Sequence, residues 1–164
     1  MALADDLVTE FDQEMATTRR VLERVPEDKR DWKPHDKSTS LGSLATHVAN
    51  LPNFAARVLD NDSIDAANFT RPPAFTTTAA LLEFFDRNVR EARAKIAAAT
   101  DDHLGKNWAM LRGGKPFLNG QRKAMLRRLL MSHHIHHRGQ LSVYLRLNDV
   151  PLPSMYGPTA DEPL

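Results

Sequence analysis

Residues 121–147 read QRKAMLRRLLMSHHIHHRGQLSVYLRL, 27 residues without a proline. At 1.5 Å per residue this run predicts a helix about 40 Å long. Leu126, Leu129, Leu130, His133, His137, Gln140, Leu141 and Tyr144 recur at helical steps and set its inward face. On a wheel of about 100° per residue, His133 and His137 fall in the middle of that stripe and His134 falls toward its edge. So long a face needs partners, and three more amphipathic stretches supply them.

Leu3, Leu7, Phe11, Met15, Leu22 and Val25, with Thr18 at the missing step, mark a helix near 3–25 that ends at Pro26. A second is expected near 40–59, capped by Ser40 and kinked or restarted at Pro52. A third, near 78–99, follows Thr78 as its cap and carries Leu81, Leu82, Phe85, Val89, Ala92 and Ile96. Residues 26–39 and 60–77 are polar connections containing prolines. Residues 107–119, around Arg112-Gly113-Gly114, fit either a small hairpin or a plain loop, because Pro116 weakens a strand. Together these elements predict an all-α four-helix bundle, one domain over 1–164. Its long connections suit something other than a simple up-down-up-down order.

Composition excludes several functions. With 41% hydrophobic and 26% charged residues the chain matches an ordinary globular domain. A net charge of +1 provides no basic field for nucleic acid and no polybasic run for an anionic membrane, so neither partner is expected. The absence of cysteine excludes disulfides, a cysteine nucleophile and thiolate-ligated metal sites. No apolar run approaches the ~20 residues of a membrane span. The first ten residues hold Asp5 and Asp6 and no basic residue, unlike a signal peptide, so a cytoplasmic location is expected. Arg122, Lys123, Arg127 and Arg128 read as a solvated basic face. Trp32, Trp108 and Tyr156 fit loop packing or a pocket mouth.

The histidines carry the chemistry. His133 and His137, at i and i+4, place two imidazoles side by side where they can chelate one ion. His47 interrupts the apolar face of the second helix between Leu44 and Leu51. If the second and last helices pack together, three imidazoles converge inside the bundle, a common location for metal sites. A single inward histidine is more often a satisfied core residue. Two adjacent imidazoles buried without a partner would cost several kcal/mol, which favours an ion, a carboxylate or water between them. No acidic residue lies near the cluster in sequence. A neutral three-histidine cage suits zinc, nickel or iron(II), and its open positions suit catalysis.

His133 to Leu141, HHIHHRGQL, together with His47 in Leu44-Ala-Thr-His-Val-Ala-Asn50, resembles the DinB-like (damage-inducible) family of bacterial metalloenzymes. The likeness extends to Asp31-Trp-Lys-Pro34 and to Tyr156-Gly-Pro-Thr-Ala-Asp-Glu162. It implies a four-helix bundle related to the bacillithiol- or mycothiol-dependent S-transferases. The family's metal ligands fall on His47, His133 and His137. One departure is His134, where members often carry an acidic residue. The chemistry implied is a small-molecule reaction in which a divalent metal activates an external low-molecular-weight thiol. A metal-dependent hydrolase, with His136 or the terminal segment as base, and a catalytically silent metal-binding bundle are the alternatives. Leu145, Met131 and Ile135 form a second apolar strip on the last helix, interspersed with Arg138 and Ser142. That strip, with the family resemblance, predicts a homodimer.

Overall fold

A computed structural model describes residues 2–163. Helix α1 spans Leu3–Leu22 and α2 spans Leu41–Asn50. Ser40 caps α2, its hydroxyl accepting from the Ser43 amide at 3.3 Å. Pro52 interrupts the second helix as expected: a 3₁₀ turn over Leu51–Asn53 leads into α3, Phe54–Leu59. Helix α4 is Thr78–Ala97, and its cap is Thr77 rather than Thr78, with Thr77 Oγ1 accepting from the Ala80 amide at 3.2 Å. Thr78 Oγ1 instead donates to the Val25 carbonyl at 2.8 Å, tying the start of α4 to the end of α1. A short α5, Asp101–Gly105, follows.

The last helix has three parts: α6, Arg122–Met125; a π-helical stretch, Leu126–Ser132; and α7, His133–Arg146. Helix α4 packs against α1 and α2, and α7 packs against α2 and α1. The first and second long helices, α1 and α2, thus sit diagonally across the bundle, as do α4 and α7, whereas α2 and α4 are neighbours. The core joins Phe11, Leu22, Leu41, Leu51, Phe85, Ile96, Leu126, Leu130 and Leu141.

The architecture is not strictly all-α. Asn107–Arg112 (β2) and Lys115–Gln121 (β3) form an antiparallel hairpin, and Ser63–Asp65 (β1) adds to β2 in parallel. The two-residue hairpin turn places Gly113 at φ 58° and Gly114 at φ 76°, a left-handed pair that glycine adopts without strain. Both turn amides donate to the Asp65 carboxylate, at 3.2 and 2.7 Å, so the Gly-Gly turn is filled from within the chain.

Two surface expectations, for Arg122 and for the second apolar strip, are corrected, and Trp108 takes the packing alternative. Arg122 is buried, pairs with Asp62 at 2.6 Å and donates to the Val58 and Asn61 carbonyls, fastening the last helix to the end of α3. Trp108 is also buried, its indole donating to the Arg57 carbonyl at 3.1 Å, so it lines no pocket mouth. Met131 and Leu145 lie in the core and Ile135 is half-buried, so the second strip of the last helix is filled within the chain. Among the described residues no helix is long and apolar enough to cross a membrane.

Candidate metal centre

The π-helical stretch decides which side chains α7 points inward. A π turn takes in one extra residue, so the core-facing direction shifts by about 100° between Leu126 and His133. The wheel drawn for an unbroken helix therefore misplaces the residues beyond it. His134, expected at the edge, and Arg138, expected within the outer strip, are 0% and 1% exposed. His133 and His137 move from the centre of the face to its rim and are half-buried, as is His47 on α2. An imidazole at the rim can hold an ion that solvent and small molecules still reach.

His47, His133 and His137 come together. One nitrogen from each lies within 4.8 Å of the other two, and no other group of three or more metal-ligating side chains occurs among the described residues. His133 Nε2 and His137 Nε2 are 2.9 Å apart, and the His47 ring lies 5.3 Å from the His133 ring and 4.5 Å from the His137 ring, centre to centre. A tetrahedral ion with bonds of ~2.0–2.1 Å needs nitrogens roughly 3.3 Å apart, within reach of small ring adjustments. Phe54, on α3, closes one side, its ring 6.2 Å from that of His133.

Gln140 fixes one tautomer. Its Oε1 can only accept, and it lies 2.7 Å from His137 Nδ1, so Nδ1 carries the proton and the Nε2 lone pair faces His133 and His47. This is how a second partner orients a metal-binding imidazole. All three rings favour the neutral form that a metal requires. Burial, then the charges that His137, His133 and Arg71 would bring, pull His47 down to about 4. Burial is also the main influence lowering His133 and His137, helped at His133 by His137 and at His137 by His136. Replacing Gln140 with alanine is expected to weaken zinc binding by about 10–100-fold while leaving the fold intact. Competition against a chromophoric chelator reads this directly, and unchanged affinity would rule Gln140 out as an orienting group.

Behind the site lies a polar network not legible in the sequence. Thr18 Oγ1 donates to the Glu14 carbonyl at 2.8 Å, so His134 Nε2, 2.9 Å away, must donate to Thr18. His134 Nδ1 is left buried without a partner, and burial pushes this imidazole down to about 3. Arg138 pairs with Glu14 at 2.7 Å and bonds Thr18 Oγ1, the Glu14 carbonyl and the Tyr156 hydroxyl. Arg138 is thus engaged within the fold, as is Tyr156 through its hydroxyl. Trp32 packs edge-on against Tyr144 at 5.6 Å.

A family model for the DinB family matches residues 1–163. The chain belongs to the DinB family. Among solved structures, a DinB-like protein from Bacillus cereus superposes with a TM-score of 0.70 at 18% identity, over 93% of this chain and 97% of that one. The crystal structure of the DinB-like protein YjoA from Bacillus subtilis gives 0.66 at 23% identity, over 88% and 92%. In sequence, YjoA, described as uncharacterized, is 23% identical over 146 residues, 89% of this chain and 91% of the relative. At these identities the likeness establishes the fold of this DinB protein, and its chemistry is argued from its own residues.

Proposed function

We propose that this DinB protein, one bundle domain over 1–164, is a divalent-metal-binding thiol-dependent transferase with His47, His133 and His137 as its metal ligands. The observation that supports this is the donor set: three rings kept neutral, converging at a half-buried rim, with no carboxylate and no cysteine among them. Such a set fits zinc, nickel or iron(II) and leaves coordination positions open. A bound divalent ion supplies Lewis acidity that lowers the pKa of a ligated thiol or water. The chain supplies the remainder. Gln140 holds the His137 ring, the bundle holds His47 opposite, and Phe54 shields one side from water. Because the chain has no thiol, the sulfur arrives on a small molecule, bacillithiol or mycothiol in the family's terms. A cytoplasmic location fits that reading, and a homodimer rests on the resemblance now that the apolar strip is filled internally.

Tag-free protein loaded with zinc, nickel or iron(II) is incubated with an electrophile and a low-molecular-weight thiol. Metal-dependent loss of the thiol with formation of the thioether is expected. Metal binding with no turnover would favour a catalytically silent bundle. A second reading has its own observation: His136 is exposed, its ring 4.8 Å from that of His137, where a general base for water would stand. Ester hydrolysis without thiol, lost in His136→Ala, would favour that hydrolase.

A further inference from the structure

Arg57 stands one helical turn after Phe54 on α3. Its guanidinium lies 4.9 Å from the centre of the Phe54 ring and 4.2 Å from that of Phe69, and the two rings meet edge to face at 6.1 Å. Phe54 is the residue whose ring borders His133. Among the described residues Arg57 is half-buried, yet no carboxylate pairs with its guanidinium and no acceptor meets it. The two fully buried arginines, Arg122 and Arg138, are each paired and hydrogen-bonded. A desolvated guanidinium held by aromatic faces, with its fork of donors unused, is a ready receptor for a planar anion. Arg71, exposed and also without a carboxylate partner among the described residues, follows Phe69 by two residues. The metal-ligating group consists of three neutral histidines and includes no carboxylate, so a divalent ion there beside two arginines without carboxylate partners favours an anionic ligand.

We infer that Arg57, assisted by Arg71, forms an anion subsite beside the metal centre that takes a carboxylate of the small molecule bound there. This rests on the metal reading above and narrows its substrate to a carboxylate-bearing class. The carboxylate belongs either to the thiol or to its electrophilic partner. In either case the guanidinium orients the molecule while another of its groups occupies the open metal position.

The test uses cobalt(II)-loaded protein and its visible spectrum, titrated with two matched pairs: 3-mercaptopropionate against 2-mercaptoethanol, and glutarate against butyrate. In each pair the first member carries one more carboxylate. It is expected to bind about tenfold tighter or more. That ratio should fall toward one in Arg57→Gln and fall partially in the exposed variant Arg71→Gln, whose surface position protects the fold. A preference confined to the thiol pair assigns the carboxylate to the thiol; a preference in both pairs admits it on the partner molecule. A ratio near one in the native protein, or one unchanged in both variants, overturns the subsite. If no thiol produces a sulfur-to-cobalt charge-transfer band while glutarate keeps its advantage, the thiol reading fails and the subsite stands. If cobalt does not bind at all, glutarate is titrated into metal-free protein with the Arg57 Nε–H NMR signal as readout. A saturable shift supports the subsite, and no shift overturns it.

Discussion

Replacing Arg138 with alanine is expected to destabilise the protein by about 3–5 kcal/mol, the usual effect of removing one member of a buried ion pair. The side chain is 1% exposed and its partner, the Glu14 side chain, 13%. Truncation would leave that carboxylate with the Tyr156 hydroxyl alone, at 2.7 Å, and would open a void beneath Tyr156, over whose ring the guanidinium sits at 5.1 Å. For a chain of this size 1 kcal/mol moves Tm by roughly 2–4 °C, so a fall of about 6–20 °C should appear by calorimetry. Two controls separate the ion pair from mere volume. Tyr156→Phe removes one hydroxyl and should cost about 1 kcal/mol. The double change Arg138→Met with Glu14→Leu removes both charges and should recover much of the loss, because an apolar pair needs no compensation. A loss under about 1 kcal/mol in Arg138→Ala would show that the network does not hold α7 against α1.

That network is also the part of the molecule that periodicity misread. The four long helices and their breaks were readable because each is announced locally, by Ser40, by Pro52 and by steps of three and four. The π-helical turn over Leu126–Ser132 is not announced: LRRLLMS has the spacing of an ordinary helix, and the extra residue is imposed by packing. An unbroken wheel consequently sends Arg138 and His134 outward and reads Met131 and Leu145 as an unpartnered strip, when all four are buried. The i, i+4 relation of His133 and His137 lies wholly beyond the π turn and is untouched by the error, so the two rings still meet each other and His47. Strand β1 escaped for another reason. Ser63-Ile64-Asp65 is too short to show alternation, and its pairing with β2 bridges more than forty residues of chain. Asp65 could be singled out only by seeing the hairpin turn amides it accepts.

The largest effect on ligand binding is expected at the triad. In the native protein, zinc at about 1,000 times its dissociation constant should raise stability by about 4 kcal/mol, since a ligand of the folded state stabilises by mass action. In His47→Ala, His133→Ala or His137→Ala that gain should vanish, while the metal-free variants stay folded because these rings sit at the rim and not in the core. Thermal melts with and without zinc, alongside metal content per chain, read both parts. The pH dependence follows from the lowered imidazole pKa values. In metal-free protein His47 titrates near 4 when folded and His134 near 3, against 6.5 for an ordinary histidine. Between those values the unfolded chain binds more protons than the folded one. Stability is therefore complete above about pH 6.5 and is lost as pH falls toward 4 and 3. His47→Ala should flatten the upper part of that acid slope. Zinc competes with the same protons, but on rings that stay neutral below pH 6.5. Its stabilising effect should therefore persist at pH 6, where an exposed histidine pair would already be largely protonated, and should fade at lower pH as the three lowered imidazoles take up protons. A zinc effect that disappears at pH 6, or that survives in all three alanine variants, would place the ion elsewhere.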